Sequence, residues 1–186
     1  MTAPRSRRSR RAAGVLIVCL GAMALSALVA ADLTGTQIAA KPPSTPLVPT
    51  LTASGTAALE QAVFERINQV RVQHGLAPVR FASDLQTIAR KHSEDQARRN
   101  TLSHCGSDGR NAGARLDAAN IAWVRYGENV GLVKGYSDPA ATVVDAWLRS
   151  PGHAANVLDA RLAESAIGVA KAPDGTYFLT QEFVTR

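Results

Sequence analysis

Trp147-Leu148-Arg149-Ser150-Pro151-Gly152-His153-Ala154-Ala155-Asn156-Val157-Leu158 reads as the end of one helix, a break, and the start of another. Val143, Val144, Trp147 and Leu148 form the apolar stripe of the incoming helix. Asp138-Pro139 opens it, with proline in the first turn, where its missing N–H does no harm. Ser150-Pro151-Gly152 ends that helix and re-aims the chain. His153 then begins a short helical segment that reaches Leu158. The positive potential at a helix N-terminus depresses the pKa of a histidine. This imidazole is therefore expected to be neutral and free to act as a metal ligand or base, with a capping or packing role as the alternative.

Working outward, Ala122-Trp123-Val124-Arg125-Tyr126 alternates as a strand does and runs into Gly127-Glu128-Asn129. A glutamate at the end of a buried strand is costly unless paired. Glu128 is thus either a cleft carboxylate or an exposed turn residue. His104 sits in Leu102-Ser103-His104-Cys105-Gly106, past a predicted helix and before a glycine-bearing stretch. There it either projects into a cleft or hydrogen-bonds its own loop. Two imidazoles and a carboxylate are groups with which proteins hold a divalent metal or move protons, and with water they would complete a tetrahedral site. Cys105 is read as an unligated thiol, His74 as the last residue of a helix, and His92 as lying on a wet helical face beside Lys91 and Glu94. No histidine pair at i, i+4, no Cys-x-x-Cys and no Gly-x-Ser-x-Gly occurs, which argues against zincin, zinc-finger and α/β-hydrolase chemistry.

The remaining pattern predicts helices over Ala57 to Gln73, from Ser83 to Asn100, and around Ala114 to Ala119. Leu59, Val63, Ile67 and Val70 supply the stripe of the first, and Gly75 its stop. Ser83 is the expected N-cap of the second. Ala166 to Ala170 and Tyr177 to Thr180 are predicted strands, joined through Ala172-Pro173-Asp174-Gly175 as a hairpin. Helices and an antiparallel hairpin in this order indicate an α+β layered domain.

Five arginines within Arg5 to Arg11, an uncharged run from Ala12 to Ala31, and Val29-Ala30-Ala31 read as a signal peptide over residues 1–31. Its alternative is an uncleaved membrane anchor, and the Arg-Arg pairs allow a twin-arginine export route. Residues 32–56, with four prolines between Lys41 and Thr50, read as a linker, and 57–186 as one domain. The whole chain carries 21 Lys and Arg against 15 Asp and Glu; without residues 1–31 the balance is 16 against 15. That near-neutral remainder gives no electrostatic footprint for nucleic acid. Cys19 would leave with the leader, so Cys105 would stand alone without an intrachain disulfide.

Several stretches occur in a telling order. These are Glu65-Arg66-Ile67-Asn68, Leu76-Ala77-Pro78-Val79, Ser103-His104, Gly127-Glu128-Asn129, the Trp147–Leu158 stretch, Ile167-Gly168-Val169 and Thr180-Gln181-Glu182-Phe183. The ordered set resembles bacterial members of the CAP superfamily (cysteine-rich secretory proteins, antigen 5, pathogenesis-related plant proteins), over about Ala58 to Val184. The resemblance implies a single-domain α-β-α sandwich, helices flanking a small antiparallel sheet, with a central cleft lined by two histidines and two acidic residues. By position, His104 and His153 match the histidines and Glu128 the acid of the Gly-Glu-Asn motif. The second acid would fall near the end of the Trp147 helix, where this chain has Ser150, and Asn129 would line the same cleft. The resemblance further implies secretion and a sterol, fatty-acid or divalent-metal ligand. The expected function is an extracellular binding module for a lipid, sterol or cell-envelope ligand, with a divalent metal such as zinc held through His104, His153 and Glu128. The alternative is a secreted peptidase or esterase with Glu128 as the catalytic group.

Overall fold

The computed structural model describes residues 55–186. The expected signal peptide, and the expected linker up to residue 54, lie outside those residues. The first helix, α1 (Gly55–Gln73), begins two residues before the anticipated Ala57, so the last two positions assigned to the linker are helical. It is followed by β1 (Arg80–Phe81), α2 (Ser83–Arg99), α3 (Ala112–Ala118), β2 (Arg125–Val133), α4 (Pro139–Arg149), α5 (Pro151–Val157), β3 (Glu164–Lys171) and β4 (Tyr177–Thr185).

The four strands lie in the order β1-β3-β4-β2. β4 is antiparallel to both β3 and β2, whereas the short β1 runs parallel to β3. The sheet is therefore mixed rather than purely antiparallel. A two-residue edge strand leaves no hydrophobic alternation to read, so the sequence carries no signal for β1.

Helices cover both faces. On one side α1, α4 and α5 pack through Val63, Ile67, Val143, Val144, Trp147 and Val157 onto Ile167, Val169, Leu179 and Phe183. On the other, α2 and α3 pack through Leu85, Ile88 and Leu116 onto Ala166 and Val184. Each fully buried large side chain in these clusters contributes about 1.5–3 kcal/mol. Small residues on the α2 face of β3 (Ala166, Gly168, Ala170) let that helix lie close to the sheet.

Two buried ions tie the layers together. Glu60 of α1 accepts from the Arg90 guanidinium on α2 and from the Val169 amide of β3, at 2.9 and 3.0 Å from its Oε1. Arg71, 1% exposed, reaches four main-chain carbonyls. Both charges are satisfied, as burial requires.

Local chemistry fixes the helix ends. Asp138 caps α4 by accepting from the Ala141 amide at 2.8 Å, as its position before Pro139 suggested. Asn111 caps α3 in the same way through the Ala114 amide at 2.9 Å. The N-cap of α2 is Ala82, not Ser83, and it makes no side-chain cap bond.

Candidate functional site

β2 is an edge strand, and Glu128 and Asn129 lie in its middle, opposite Glu182 and Gln181 of β4. The strand was expected to end at the Gly-Glu-Asn motif; instead it runs through it. Two glycines make this possible by admitting side chains to the strand's α4/α5 face. A Cβ on Gly127 would meet Asn156 Oδ1 at 2.8 Å. With that space open, the Asn156 amide donates to Glu128 O at 3.0 Å and to Asn129 Oδ1 at 2.9 Å. Trp147 Nε1, beside Gly131, donates to Val130 O at 2.9 Å. These bonds cap carbonyls at the edge of the strand and seat α4 and α5 against it.

Successive residues of a strand point to opposite faces. Asn129 turns towards α5, where its amide lies 3.4 Å from His153 O. Glu128 turns towards α2 and α3, where it is 7% exposed. His104 approaches from the loop after α2, and its Nδ1 lies 2.8 Å from Glu128 Oε1. The His104 and His153 rings come from opposite helical layers, and their centroids are 6.2 Å apart. His153 stands in the first turn of α5, and its Nε2 is buried with no hydrogen-bond partner among the described residues.

Three further residues complete the cluster, none of them anticipated. Arg115 of α3 donates through Nη2 to Glu128 Oε2 and lies 3.4 Å from Glu182 Oε1. Glu182 is fully buried and lies opposite Glu128 in the β4–β2 ladder. His92, expected on a wet face, is 2% exposed. Its Nε2–H donates to Ser103 O at 2.8 Å and lies 3.9 Å from Glu128 Oε2. A signal for it existed, since Leu85, Ile88, Ala89, His92 and Gln96 form one helical stripe and all are buried.

The electrostatics follow from this packing. Burial pushes the Glu128 carboxyl up, and the neighbouring Arg115 charge pulls it back. Burial and then the neighbouring Glu128 charge push the Glu182 carboxyl well above the ordinary carboxylate range. Burial, then the Arg115 charge, lowers His92 to about 4 and also depresses His104. Burial and then the nearby His104 lower His153. The imidazoles are therefore neutral at pH 7, each with a lone pair.

The loop that carries His104 is fastened to α2. Ser103 N donates to Gln96 Oε1 at 3.0 Å, and Ser107 donates its amide and hydroxyl to Asp95 at 2.8 and 2.6 Å. Burial raises the Asp95 carboxyl, but the Ser107 bonds and Arg99 outweigh it and bring it down to about 2. The folded carboxyl thus binds its proton less tightly than the unfolded one, whose pKa is about 3.9. Its stabilisation is complete above about pH 4 and is lost as pH falls towards 2. In Asp95→Asn that share of acid sensitivity should vanish from thermal melts between pH 2 and 5, and the His104 loop should exchange its amides faster.

For a divalent ion the donor set offers two imidazoles, one with an orphaned buried nitrogen, while both Glu128 oxygens are engaged by His104 and Arg115. Among the described residues, no group of three or more His, Cys, Asp or Glu side chains is gathered suitably for a metal. Any ion at this cluster would have to be held by His104 and His153, since Glu128 is bonded to His104 and Arg115 instead. Ser150 is half-buried at the junction of α4 and α5, and no hydrogen bond links its side chain to the cluster. A second carboxyl, Glu182 of β4, is nonetheless present beside Glu128. Cys105 is exposed and free. No helix among the described residues is long and apolar enough to cross a membrane.

Comparison with known proteins places this arrangement. The family model for the cysteine-rich secretory protein family, CAP, matches residues 64–183. The membrane protein YlbC of Bacillus subtilis (strain 168) is 32% identical over 128 residues, which span 68% of this chain and 34% of that one. YkwD of the same organism is 30% identical over 131 residues, 70% of this chain and 49% of that one. The chain thus spans a third to a half of the length of these relatives. Among solved structures, an extracellular SCP-domain protein from Bacillus anthracis str. Ames superposes with a TM-score of 0.62 at 26% identity, covering 77% of this chain and 45% of that one. An outer surface protein from Borrelia burgdorferi superposes with a TM-score of 0.64 at 17% identity, covering 72% and 96%, a likeness of fold alone.

Proposed function

The chain belongs to the cysteine-rich secretory protein (CAP) family, and we propose that it is an extracellular binding module whose cleft presents two neutral imidazoles to its ligand. The observation that carries this reading is the meeting of His104 and His153 over the edge of β2, beside a Glu128 whose oxygens are both engaged. With each oxygen already bonded and the side chain buried, Glu128 is poorly placed to meet a water molecule, which favours binding over the hydrolase alternative with Glu128 as base. The ligand is a cell-envelope molecule, a lipid or sterol class among them, with a divalent ion such as zinc as the simplest occupant to test. Zinc, when bound, would be held by His104 and His153 and would supply an electrophilic centre for the ligand's oxygen atoms.

Export fits the leader-like residues 1–31 and the extracellular SCP-domain protein among the structural relatives. The membrane-protein name of one relative suits the alternative, in which the N-terminal segment is kept as an anchor.

Calorimetric titration with Zn²⁺ at pH 7 tests the site. Wild type should bind, and His104→Ala or His153→Ala should each weaken binding at least about tenfold, as loss of one of two protein ligands requires. Undiminished binding in both variants would refute the assignment.

A further inference from the structure

The wet face of α1 is short of charge. Gln61, Phe64, Asn68, Gln69, Val72 and Gln73 line a groove there, with Glu65 its one charged side chain. Val72 is 58% exposed. Phe64 meets Phe81 of β1 edge to face, the ring centroids 5.9 Å apart, and Phe81 is itself 53% exposed. A solvated helix face normally carries charged and polar residues, and clustered exposed apolar side chains mark a surface that something covers. None of these residues belongs to the histidine cluster.

We propose that this groove is the docking site of the chain's own proline-rich segment, residues 42–49, which would bind there as a polyproline ligand.

The occupant follows from its sequence. In Pro43-Ser44-Thr45-Pro46-Leu47-Val48-Pro49 a proline recurs at every third position. A polyproline helix has about three residues per turn, so Pro43, Pro46 and Pro49 would share one face. Grooves lined by aromatic rings recognise such segments. Lys41 is the only charged residue between Leu33 and Ser54, so laying this stretch against α1 removes little charge from water.

The groove supplies the complementary groups. Phe64, Phe81 and Val72 offer apolar surface to proline rings. Polyproline carbonyls have no partners within their own helix. Gln61 is engaged by Glu65 and Asn68 by Val79, whereas Gln69 and Gln73 make no side-chain hydrogen bond among the described residues. Their amides are thus free to donate to those carbonyls.

Reach selects this segment over one from another molecule. The chain enters α1 at Gly55, the head of the helix whose outer face forms the groove. The nine steps from Gly55 back to Pro46 span about 28 Å in polyproline form. The nine steps forward to Phe64 cover about 14 Å of helix, which leaves length for the reversal. So short a connection gives a millimolar effective concentration, enough for a weak contact to persist.

Nuclear Overhauser contacts in the full chain test this. Cross-peaks should join the Pro46 and Pro49 ring protons to those of Phe64 and Phe81, with relative intensities unchanged on tenfold dilution. Phe81→Ser, at an exposed position outside the core, should abolish them. So should Pro46→Ser combined with Pro49→Ser, which leaves residues 55–186 untouched and decides the matter if Phe81→Ser does not fold. Absence of the cross-peaks in wild type would overturn the proposal, as would their survival in the folded Phe81 variant or in the double proline variant. Cross-peaks that fade on dilution would also overturn it, giving the groove to the segment of a second copy.

Discussion

Gly168→Ala is expected to destabilise the fold more than an ordinary core substitution does. A Cβ at this position of β3 would stand 2.1 Å from Arg90 N, 2.2 Å from Ala89 C and 2.6 Å from Ala89 O, all main-chain atoms of α2. Main chain within a helix cannot swing aside as a side-chain tip can. The whole helix would have to retreat, and it is fastened where it lies. Ser93 Oγ donates to Gly168 O at 2.9 Å and lies 2.9 Å from Thr180 Oγ1, to which Gln96 Nε2 also donates at 3.1 Å. Leu85 and Ala89 beside them are wholly buried, so a shift would open space under both. Overpacking costs about 1–3 kcal/mol where side chains can yield, and more where backbone must move. A loss above about 3 kcal/mol, against a total stability of about 5–15 kcal/mol, is therefore anticipated in urea unfolding. A loss below about 1 kcal/mol would show that α2 can withdraw from the sheet. The site would suffer with the fold, because α2 also carries His92, Asp95 and Gln96, which hold the His104 loop.

The Ile167-Gly168-Val169 motif was visible in the sequence, but the reason for its glycine was not. Nothing local distinguishes a glycine that permits close approach from one that permits a turn. The features that were legible depended on short-range chemistry. The Ser150-Pro151-Gly152 break separates α4 from α5, and the Asp174-Gly175 turn joins β3 to β4, with Gly175 at φ 89°. The stripe from Leu59 to Val70 marked α1. His104, Glu128 and His153 were found through motifs, and the structure gathers all three around β2.

Arg115 and Glu182 were illegible because their roles depend on pairings between distant parts of the chain. Glu182 enters the site only because β4 aligns it opposite Glu128. Its strand is covered on both faces, so Phe178-Leu179-Thr180-Gln181-Glu182-Phe183 lacks the alternation that would have marked an inward carboxyl. The extent of β2 was obscured by Gly127, Asn129 and Gly131, poor strand formers whose presence answers to Asn156 and Trp147 on the helices.

Arg71→Met should cost about 3–5 kcal/mol, the range seen when one side of a buried charged network is removed. The guanidinium donates from Nε to Ala77 O at 2.9 Å, from Nη1 to Val157 O at 2.7 Å and Asp159 O at 3.2 Å, and from Nη2 to Leu162 O at 3.1 Å. It thereby joins the end of α1, the approach to β1, the end of α5 and the turn into β3. Burial lowers its pKa and the Asp159 charge opposes that, but arginine starts so high that it stays charged. Methionine would fill much of the volume and leave those carbonyls without a donor, at about 1–3 kcal/mol for each acceptor that water cannot reach. Arg71→Lys separates charge from geometry. A single ammonium lacks the planar fork needed for carbonyls on three sides, so lysine should recover less than half of the loss. If lysine melts within about 1 kcal/mol of wild type, charge alone suffices and the fork is not the reason for arginine. The consequence reaches the cleft through α5, which starts beside His153 and ends on the carbonyl of Val157 that Arg71 holds. Any surviving folded fraction of Arg71→Met should therefore hold His153 less firmly, and its Zn²⁺ affinity should fall while His104 keeps its bond to Glu128.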